Sequence, residues 1–439
     1  MPFPEHFAIR GDQPGDKSTM SFQDLKSRIH RQLIERIDLS KIDLLRNGEL
    51  ASEIGYVIEK LIVEEGVPLS RQEKEQLVID VQHETFGLGP IEPLLSSPDI
   101  SDILVNNYNS TYVERFGKLE KTDIVFRDNN HLLQIIDRIV TRVGRRIDES
   151  SPYVDARLPD GSRVNAIIPP LAIDGPALSI RRFGLEALKM KDMLALRSFD
   201  QRMAKLIEGA VKTRLNILIC GGTGTGKTSL LNVISEFIPD DERIITIEDS
   251  AELQLKQDHV VRLETRPANI EGTGEVTQRD LVRNALRMRP NRIILGEVRG
   301  GEALDMLQAM NTGHDGSIST IHANTVRDAM ARLSTMVMMT GFELPDRAIR
   351  EQISSAINVI IHLVRFADGT RKIVKIAEIT GMEGNTIVMQ DILCFVQRGV
   401  DQEGRVLGEF KATGVRPAFA ERFKMFGFAL PPGFFEKEA

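Results

Sequence analysis

Gly221-Gly222-Thr223-Gly224-Thr225-Gly226-Lys227-Thr228 fits the spacing G-x-x-x-x-G-K-[ST] at every fixed position. Residues of these types, so spaced, hold polyphosphate. The glycines let successive backbone N–H groups point into one cradle, Lys227 sets a charge against the β- and γ-phosphates, and Thr228 is a ligand for Mg²⁺. By residue frequencies alone the pattern arises in roughly one chain of this size in a hundred. Its surroundings make chance a poorer explanation still. The apolar run LNILI at 215–219 precedes it and a helical pattern from Ser229 to Phe237 follows, which is the strand, loop and helix order the motif requires. Thr228 and Ser229 then stand at the helix start, where N–H groups face an anion.

Hydrolysis also needs a carboxylate near the γ-phosphate, and in a parallel sheet the place for one is the C-terminal end of a neighbouring strand. RIITIED delivers Glu248 and Asp249, and RIILGE delivers Glu297. One such residue alone is as readily a solvated rim group; two, on strands expected to flank the phosphate loop, make a candidate pair. His314 and His322 lie eight apart in TGHDGSISTIHANT, where a β-prone run carries a polar group to the sheet edge, so His322 is a candidate to sense or stabilise the γ-phosphate. With no cysteine nearby and Asp315 the only close acid, zinc is not expected. Phosphoryl-transfer sites often receive an arginine from another domain or subunit, and Arg163, Arg181 and Arg182 lie outside the nucleotide-binding stretch, just before the linker to it. Arg283, Arg287, Arg289, Arg292 and Arg299 form the densest basic run of the core, open to a nucleic-acid or a subunit-interface reading.

The elements that must position these residues form an α/β architecture. From about 200 the chain alternates helix with apolar strand: LNILI, RIITIE at 243–248, HVVRLE at 259–264, RIILGE at 292–297, SISTI at 317–321 and INVIIH at 357–362. That alternation predicts a largely parallel sheet with helices on both faces over 200–365. Upstream, Phe22, Leu25, Ile29, Leu33 and Ile37 step by three or four after a Ser21–Asp24 start signal. A second stripe runs Leu50, Ile54, Val57, Ile58, Leu61, Ile62, and a third helix begins at Ser70 with Glu73 as its capping partner. These predict a helical bundle over 21–89 behind a disordered tail of 1–20. An α+β domain is expected over 90–185, with β-prone runs at Asp102–Val105, Thr111–Phe116 and Thr122–Phe126, a helix from His131 to Val143, and a hairpin about Pro159-Asp160-Gly161. A linker at 186–199 and a C-terminal β/helical appendage at 366–439 complete the division.

Composition bounds the answer. The chain has 439 residues, enough for two to four domains at roughly 100 to 200 residues each, with 41% hydrophobic and 27% charged residues, as in an ordinary globular protein. Its net charge of −7, with few aromatics and no Trp, speaks against nucleic acid as the main partner. Two cysteines, Cys220 and Cys394, are too few for a disulfide framework or a four-cysteine zinc module and fit a reducing cytosol. Neither a signal-peptide pattern nor an apolar run of membrane-spanning length is present, so a cytoplasmic protein is expected.

Taken in order, GGTGTGKT, ITIEDSAEL, LRMRPNRIILGEVRG and TGHDGSISTIHANT resemble the Walker A, Asp-box, Walker B and His-box of the type II/type IV secretion ATPases, hexameric motors with a RecA-like core. GSRVNAIIPP with SIRRF is similar to the segment whose arginines reach the phosphates in conjugation-type relatives, a role the resemblance carries to Arg163 and Arg181. SRIHRQLIERIDL, FGLGPIEPLL and GVRPAFAERFKMFGFALPPGFF resemble the Tad (tight adherence) pilus ATPases, and the likeness spans about 22–435. It implies ATP and Mg²⁺ as cofactors, with Glu248 polarising the attacking water, Glu297 holding Mg²⁺ through water and His322 reporting γ-phosphate status. It also implies a homo-hexamer peripheral at the inner membrane, docked on pilus platform proteins and moving pilin indirectly. A nucleic-acid-translocating RecA-like motor is the alternative.

Overall fold

The computed structural model of the chain describes residues 22–36, 48–182, 188–268 and 273–437. The expected tail, the Ser21 start signal and the first residues of the expected linker lie outside these. The chain divides into two compact units, one up to residue 183 and one from 184 onward.

In the first unit, α1 (Phe22–Arg36), α2 (Gly48–Glu65) and α3 (Arg71–Phe86) bury the stripes read from sequence: Leu25, Ile29 and Leu33 meet Ile58, Leu61 and Ile62 and then Leu77 and Val81. α3 opens on a reciprocal cap, Ser70 Oγ accepting from the Glu73 N–H at 3.2 Å and Glu73 Oε2 from the Ser70 N–H at 2.7 Å. A short α4 (Glu92–Ser96) leads into β1 (Ile100–Asn107), β2 (Ser110–Arg115), β3 (Lys118–Lys121), β4 (Tyr153–Arg157), β5 (Arg163–Ile167) and β6 (Ala177–Arg181). These form an antiparallel sheet of order β3-β2-β1-β6-β5-β4. One apolar face of α5 (Asn129–Arg142), Leu132, Ile135, Ile136, Ile139 and Val140, covers it.

One expectation needs correction here. The strand read at Thr122–Phe126 is displaced to β3, because Gly117 at φ +81° turns the hairpin immediately after Phe116. Thr122 still donates to the Thr111 carbonyl, and beyond it the chain leaves the sheet edge so that Phe126 can bury. The bundle is also fastened to the sheet layer: buried Glu84 of α3 sits 2.7 Å from Lys26 Nζ and 2.8 Å from His131 Nε2, and Arg138 Nη1 donates to the carbonyls of Glu84 and Gly87.

The second unit begins with α6 (Met190–Ala195) and α7 (Gln201–Lys212), followed by β7 (Ile217–Gly221), α8 (Lys227–Ser235), β8 (Ile244–Glu248), β9 (Val260–Glu264), α9 (Gln278–Ala285) and β10 (Arg292–Val298). Then come α10 (Glu302–Asn311), β11 (Ile318–His322), α11 (Val326–Met338), α12 (Asp346–Ala356) and β12 (Val359–Arg365). The chain closes with β13 (Arg371–Glu383), β14 (Thr386–Val400), β15 (Val406–Ala412) and α13 (Ala420–Met425). One nine-stranded sheet, of order β15-β14-β13-β12-β7-β11-β10-β8-β9, runs through it. The six strands from β12 to β9 are parallel, and all but the edge strand β9 are largely buried on both faces, which is why those five read as mostly apolar runs. In β7, Ile217 and Ile219 pack with Leu206, Ile207, Leu230 and Ile234 of α7 and α8. Leu218 and Cys220 pack with Leu307, Leu333 and Ile353 of α10 to α12.

Residues read as a β/helical appendage extend this sheet: β13 pairs antiparallel with β12 across the Asp368-Gly369 turn, and β14 and β15 follow as hairpins. Phe423 of α13 and Phe434 join the same apolar cluster as α7 and α8. The physical reason is that β12 would otherwise be an exposed edge on an apolar strand.

At the start of β10, Arg292 is wholly buried. Its Nε and Nη2 donate to the Glu242 carboxylate at 2.5 and 2.9 Å and its Nη1 to the Gly316 carbonyl at 3.3 Å. Removing one partner of such a pair strands the other charge out of water. Glu242→Ala is therefore expected to lower the unfolding free energy by about 3–5 kcal/mol in urea denaturation, against less than about 1 kcal/mol if the pair were solvated.

Candidate active site

The phosphate-loop motif occupies the end of β7 and the turn into α8. Gly224 and Gly226 adopt φ +69° and +91°, conformations that only glycine takes at low cost, and Gly226 stands as the residue before the helix. A Cβ on Gly221 would come within 2.7 Å of both the Leu363 carbonyl and Thr225 Oγ1, so the loop lies tight on β12. Lys227 Nζ donates to the carbonyls of Gly221 and Gly222, each at 3.0 Å, which holds the ammonium over the loop. Burial holds its pKa below the usual lysine range, with Glu297 opposing the shift. Open cradle, oriented helix start and poised ammonium together fit a polyphosphate chain.

Parallel register sets what stands beside the loop. Gly221 is paired with His322 at the end of β11 and with Leu363 of β12. The strands beside β7 are thus β11 and β12, rather than β8 and β10 as the sequence led us to expect; β10 is second from β7 and β8 third. The reason is topology: β11 lies between β7 and β10, so the two carboxylate strands stand farther out. His322 thereby stands in register with the first residue of the loop. His314, in contrast, lies before the start of β11, at the opposite end of that strand from His322.

Glu248 and Glu297 nevertheless converge. Glu248, 2% exposed, lies so close over Gly296 that a Cβ there would sit 3.0 Å from its Cγ, which explains glycine immediately before Glu297. Its Oε2 accepts from the Glu252 and Leu253 N–H groups at 2.7 and 2.9 Å, while Oε1 is buried with no hydrogen-bond partner among the described residues. Burial pushes its pKa up to about 7 against those two N–H groups. Glu297, the more open carboxylate, is engaged by Arg299: Nη2 and Nε donate to Oε2 at 2.6 and 3.0 Å, and Nη1 reaches Asp249 Oδ2 at 2.9 Å. Thr320 Oγ1 donates to the Gly296 carbonyl at 2.7 Å and ties β11 to β10.

The chain is similar to known proteins along most of its length. Residues 84–407 match the family described as type II/IV secretion system protein, and residues 22–84 match the N-terminal domain of type II secretion system protein E. The chain belongs to the type II/IV secretion system protein family. A Mycobacterium tuberculosis protein named for conjugal transfer is 38% identical over 333 residues, 74% of this chain and 94% of that one. The conjugal transfer protein TrbB of Rhizobium radiobacter is 32% identical over 305 residues, 66% of this chain and 87% of its own. Among solved structures, the VirB11 ATPase of the Brucella suis type IV secretion system aligns with a TM-score of 0.36 at 29% identity, over 67% of this chain and 96% of that chain. This secretion protein is an ATP hydrolase.

The remaining residues of this secretion ATPase are distributed as follows. Thr228 and Ser229 fall in the first turn of α8. A hydroxyl and a carboxylate, Thr228 and Glu297, are the oxygen donors that suit Mg²⁺. Arg163 and Arg181 lie in the first unit, directly paired across β5 and β6, and Arg181 Nε donates to Asp102 Oδ1 at 3.2 Å. Arg182 turns away, its Nη1 on the carbonyls of Ser97 and Ile100. The basic run does not form one face. Arg292 is buried on Glu242, Arg283 pairs with Asp305 at 2.9 Å, and Arg299 faces the carboxylates. Two arginines escaped the sequence reading. Arg365 and Arg371 are partners across the β12–β13 turn; Arg371 Nε donates to the Gly224 carbonyl at 2.8 Å, and Arg365 Nη1 would lie 3.0 Å from a Cβ on Gly224. Their signal was available, since R-F-A-D-G-T-R reads as a hairpin with arginines facing each other, but nothing in sequence said which loop that hairpin would touch.

The raised pKa of Glu248 has a consequence for stability. The folded state binds its proton up to about pH 7, whereas an unfolded carboxyl releases it near pH 4.5, so this group's contribution is full below that and fades as pH climbs to about 7. The wild type is expected to lose up to about 3 kcal/mol of stability between about pH 4.5 and 8 from this source, and Glu248→Gln to lack that slope. Urea titrations across that range check it; parallel slopes would contradict it.

Proposed function

We propose that Glu248 is the group that activates water in this ATPase. The observation that supports it is its Oε1: a buried, unpartnered carboxylate oxygen at the strand edge that also carries Glu297 and His322. In this reading the water oxygen bonds to the γ-phosphorus, the bridging P–O bond breaks with its electron pair going to ADP, and the water's proton passes to Glu248. Lys227 and the loop N–H groups balance the charge on the phosphates, and His322 reports whether the γ-phosphate is present. Thr228, and Glu297 through water, hold Mg²⁺, whose chemistry when bound is to neutralise charge on the β- and γ-oxygens. Arg163 and Arg181, adjacent on the first unit's sheet, are the arginines that couple domain closure to turnover.

We further propose that the protein works as a homo-hexamer, cytoplasmic and peripheral at the inner membrane, that drives assembly or retraction of a Tad-type pilus through platform proteins. Support comes from the sequence: a chain with two cysteines has no room for the four-cysteine module of many type II secretion ATPases, and its N-terminal helical and C-terminal aromatic segments resemble the Tad branch. The aromatic C-terminal segment contributes Phe419, Phe423 and Phe434 to the core beneath α7 and α8. Light-scattering mass and ATPase turnover on one sample test the motor. A mass near six subunits is expected, with turnover falling at least about 100-fold in Lys227→Ala. A monomer whose turnover survives the change, or one whose turnover rises with DNA and collapses with salt, would count against the proposal. Expression of Lys227→Ala in place of the wild type is expected to abolish surface pili.

A further inference from the structure

Arg299 has no task in the scheme above, yet it is the side chain that links the two carboxylate strands. Its guanidinium gives two N–H groups to Glu297 Oε2 and a third to Asp249 Oδ2, at 2.6, 3.0 and 2.9 Å. Asp249 is anchored on its other oxygen, where Gln278 Nε2 donates to Oδ1 at 3.0 Å. The loop that carries Arg299 is pinned as well, since the Arg299 and Gly300 N–H groups both donate to Glu302 Oε1, at 2.6 and 2.8 Å. A fixed backbone thus presents a movable fork to two carboxylates, one of which immediately follows Glu248 in β8.

Glu297 cannot serve two cations fully. A carboxylate whose Oε2 already accepts two guanidinium N–H groups offers less charge to a metal, and a guanidinium at that distance repels a divalent cation. We propose that Arg299 competes with the divalent cation of the bound nucleotide for Glu297, and that on metal loading it withdraws to Asp249. This rests on the reading of Glu297 as the residue that holds Mg²⁺. Arg299 is then a positioning residue: it keeps Glu297 neutralised while the site is metal-free and passes the change in charge to the end of β8, next to Glu248.

The test is the Mg²⁺ dependence of binding of a fluorescent N-methylanthraniloyl-ADP, a readout separate from turnover. Arg299→Ala is expected to lower the half-saturating Mg²⁺ about two- to fivefold, the size of a partly exposed ion pair, and Arg299→Lys, which keeps the charge but loses the fork, to fall between it and the wild type. Glu297→Gln is expected to raise the Mg²⁺ requirement, and Arg299→Ala added to it to lower that requirement by less than it does in the wild type. An Arg299→Ala protein with an unchanged or higher requirement, while Glu297→Gln still raises it, overturns the competition and leaves Glu297 as the Mg²⁺-holding residue. If Glu297→Gln itself binds with wild-type Mg²⁺ dependence, the assignment of Glu297 fails and the proposal with it. Thermal melts identify a variant that does not fold, in which case Arg299→Lys alone decides.

Discussion

A phosphate loop made of backbone N–H groups works only if the strand beneath it cannot move. Here that strand is β7, whose Ile217, Leu218, Ile219 and Cys220 are all wholly buried between two helix layers, with strands paired on both sides. The tightness continues into the motif, where Gly221 touches the Leu363 carbonyl and Thr225, and Arg371 holds the Gly224 carbonyl from the adjoining hairpin. The three antiparallel strands after β12 therefore matter to chemistry: they hold the hairpin that braces the loop.

With β7 fixed, the parallel register decides which side chains can meet the phosphates. His322 arrives beside Gly221 because β11 pairs with β7 residue for residue, while Glu248 reaches inward from the third strand over by lying across Gly296. Reaching in buries it, and burial raises its pKa to about 7. A carboxyl poised near neutrality exchanges a proton at little cost in either direction, which is the property a water-activating group needs. Glu297 differs because it is more open and neutralised by Arg299. Environment alone separates the properties of two chemically similar side chains.

Much of this was legible in the sequence because it rests on local rules. The phosphate loop is a contiguous motif, the inner strands are apolar runs ended by an acid or a histidine, and the α1 and α3 stripes sit where periodicity put them. What was not legible is what depends on strand order. Nothing in RIITIED or RIILGE says that SISTI will insert between them and β7, and nothing in R-F-A-D-G-T-R says that its arginines will brace Gly224. Likewise Arg292 reads as one more surface arginine of a basic run; only the fold reveals that Glu242, fifty positions upstream, takes its charge into the core. The displaced strand at Thr122–Phe126 is a local miss, where a β-prone run lost to the tight turn at Gly117.

The central claim is that one carboxylate, Glu248, is held buried and half-unsatisfied so that it can take a water facing the γ-phosphate. A crystal structure of the protein with Mg²⁺, ADP and aluminium fluoride, which mimics the transferring phosphoryl group, tests it directly. The account predicts an in-line water bound to Glu248 Oε1, with Lys227 released from the Gly221 and Gly222 carbonyls onto the phosphate mimic. A water held instead by Glu297 or Asp249, with Glu248 Oε1 still empty-handed behind Gly296, would contradict it.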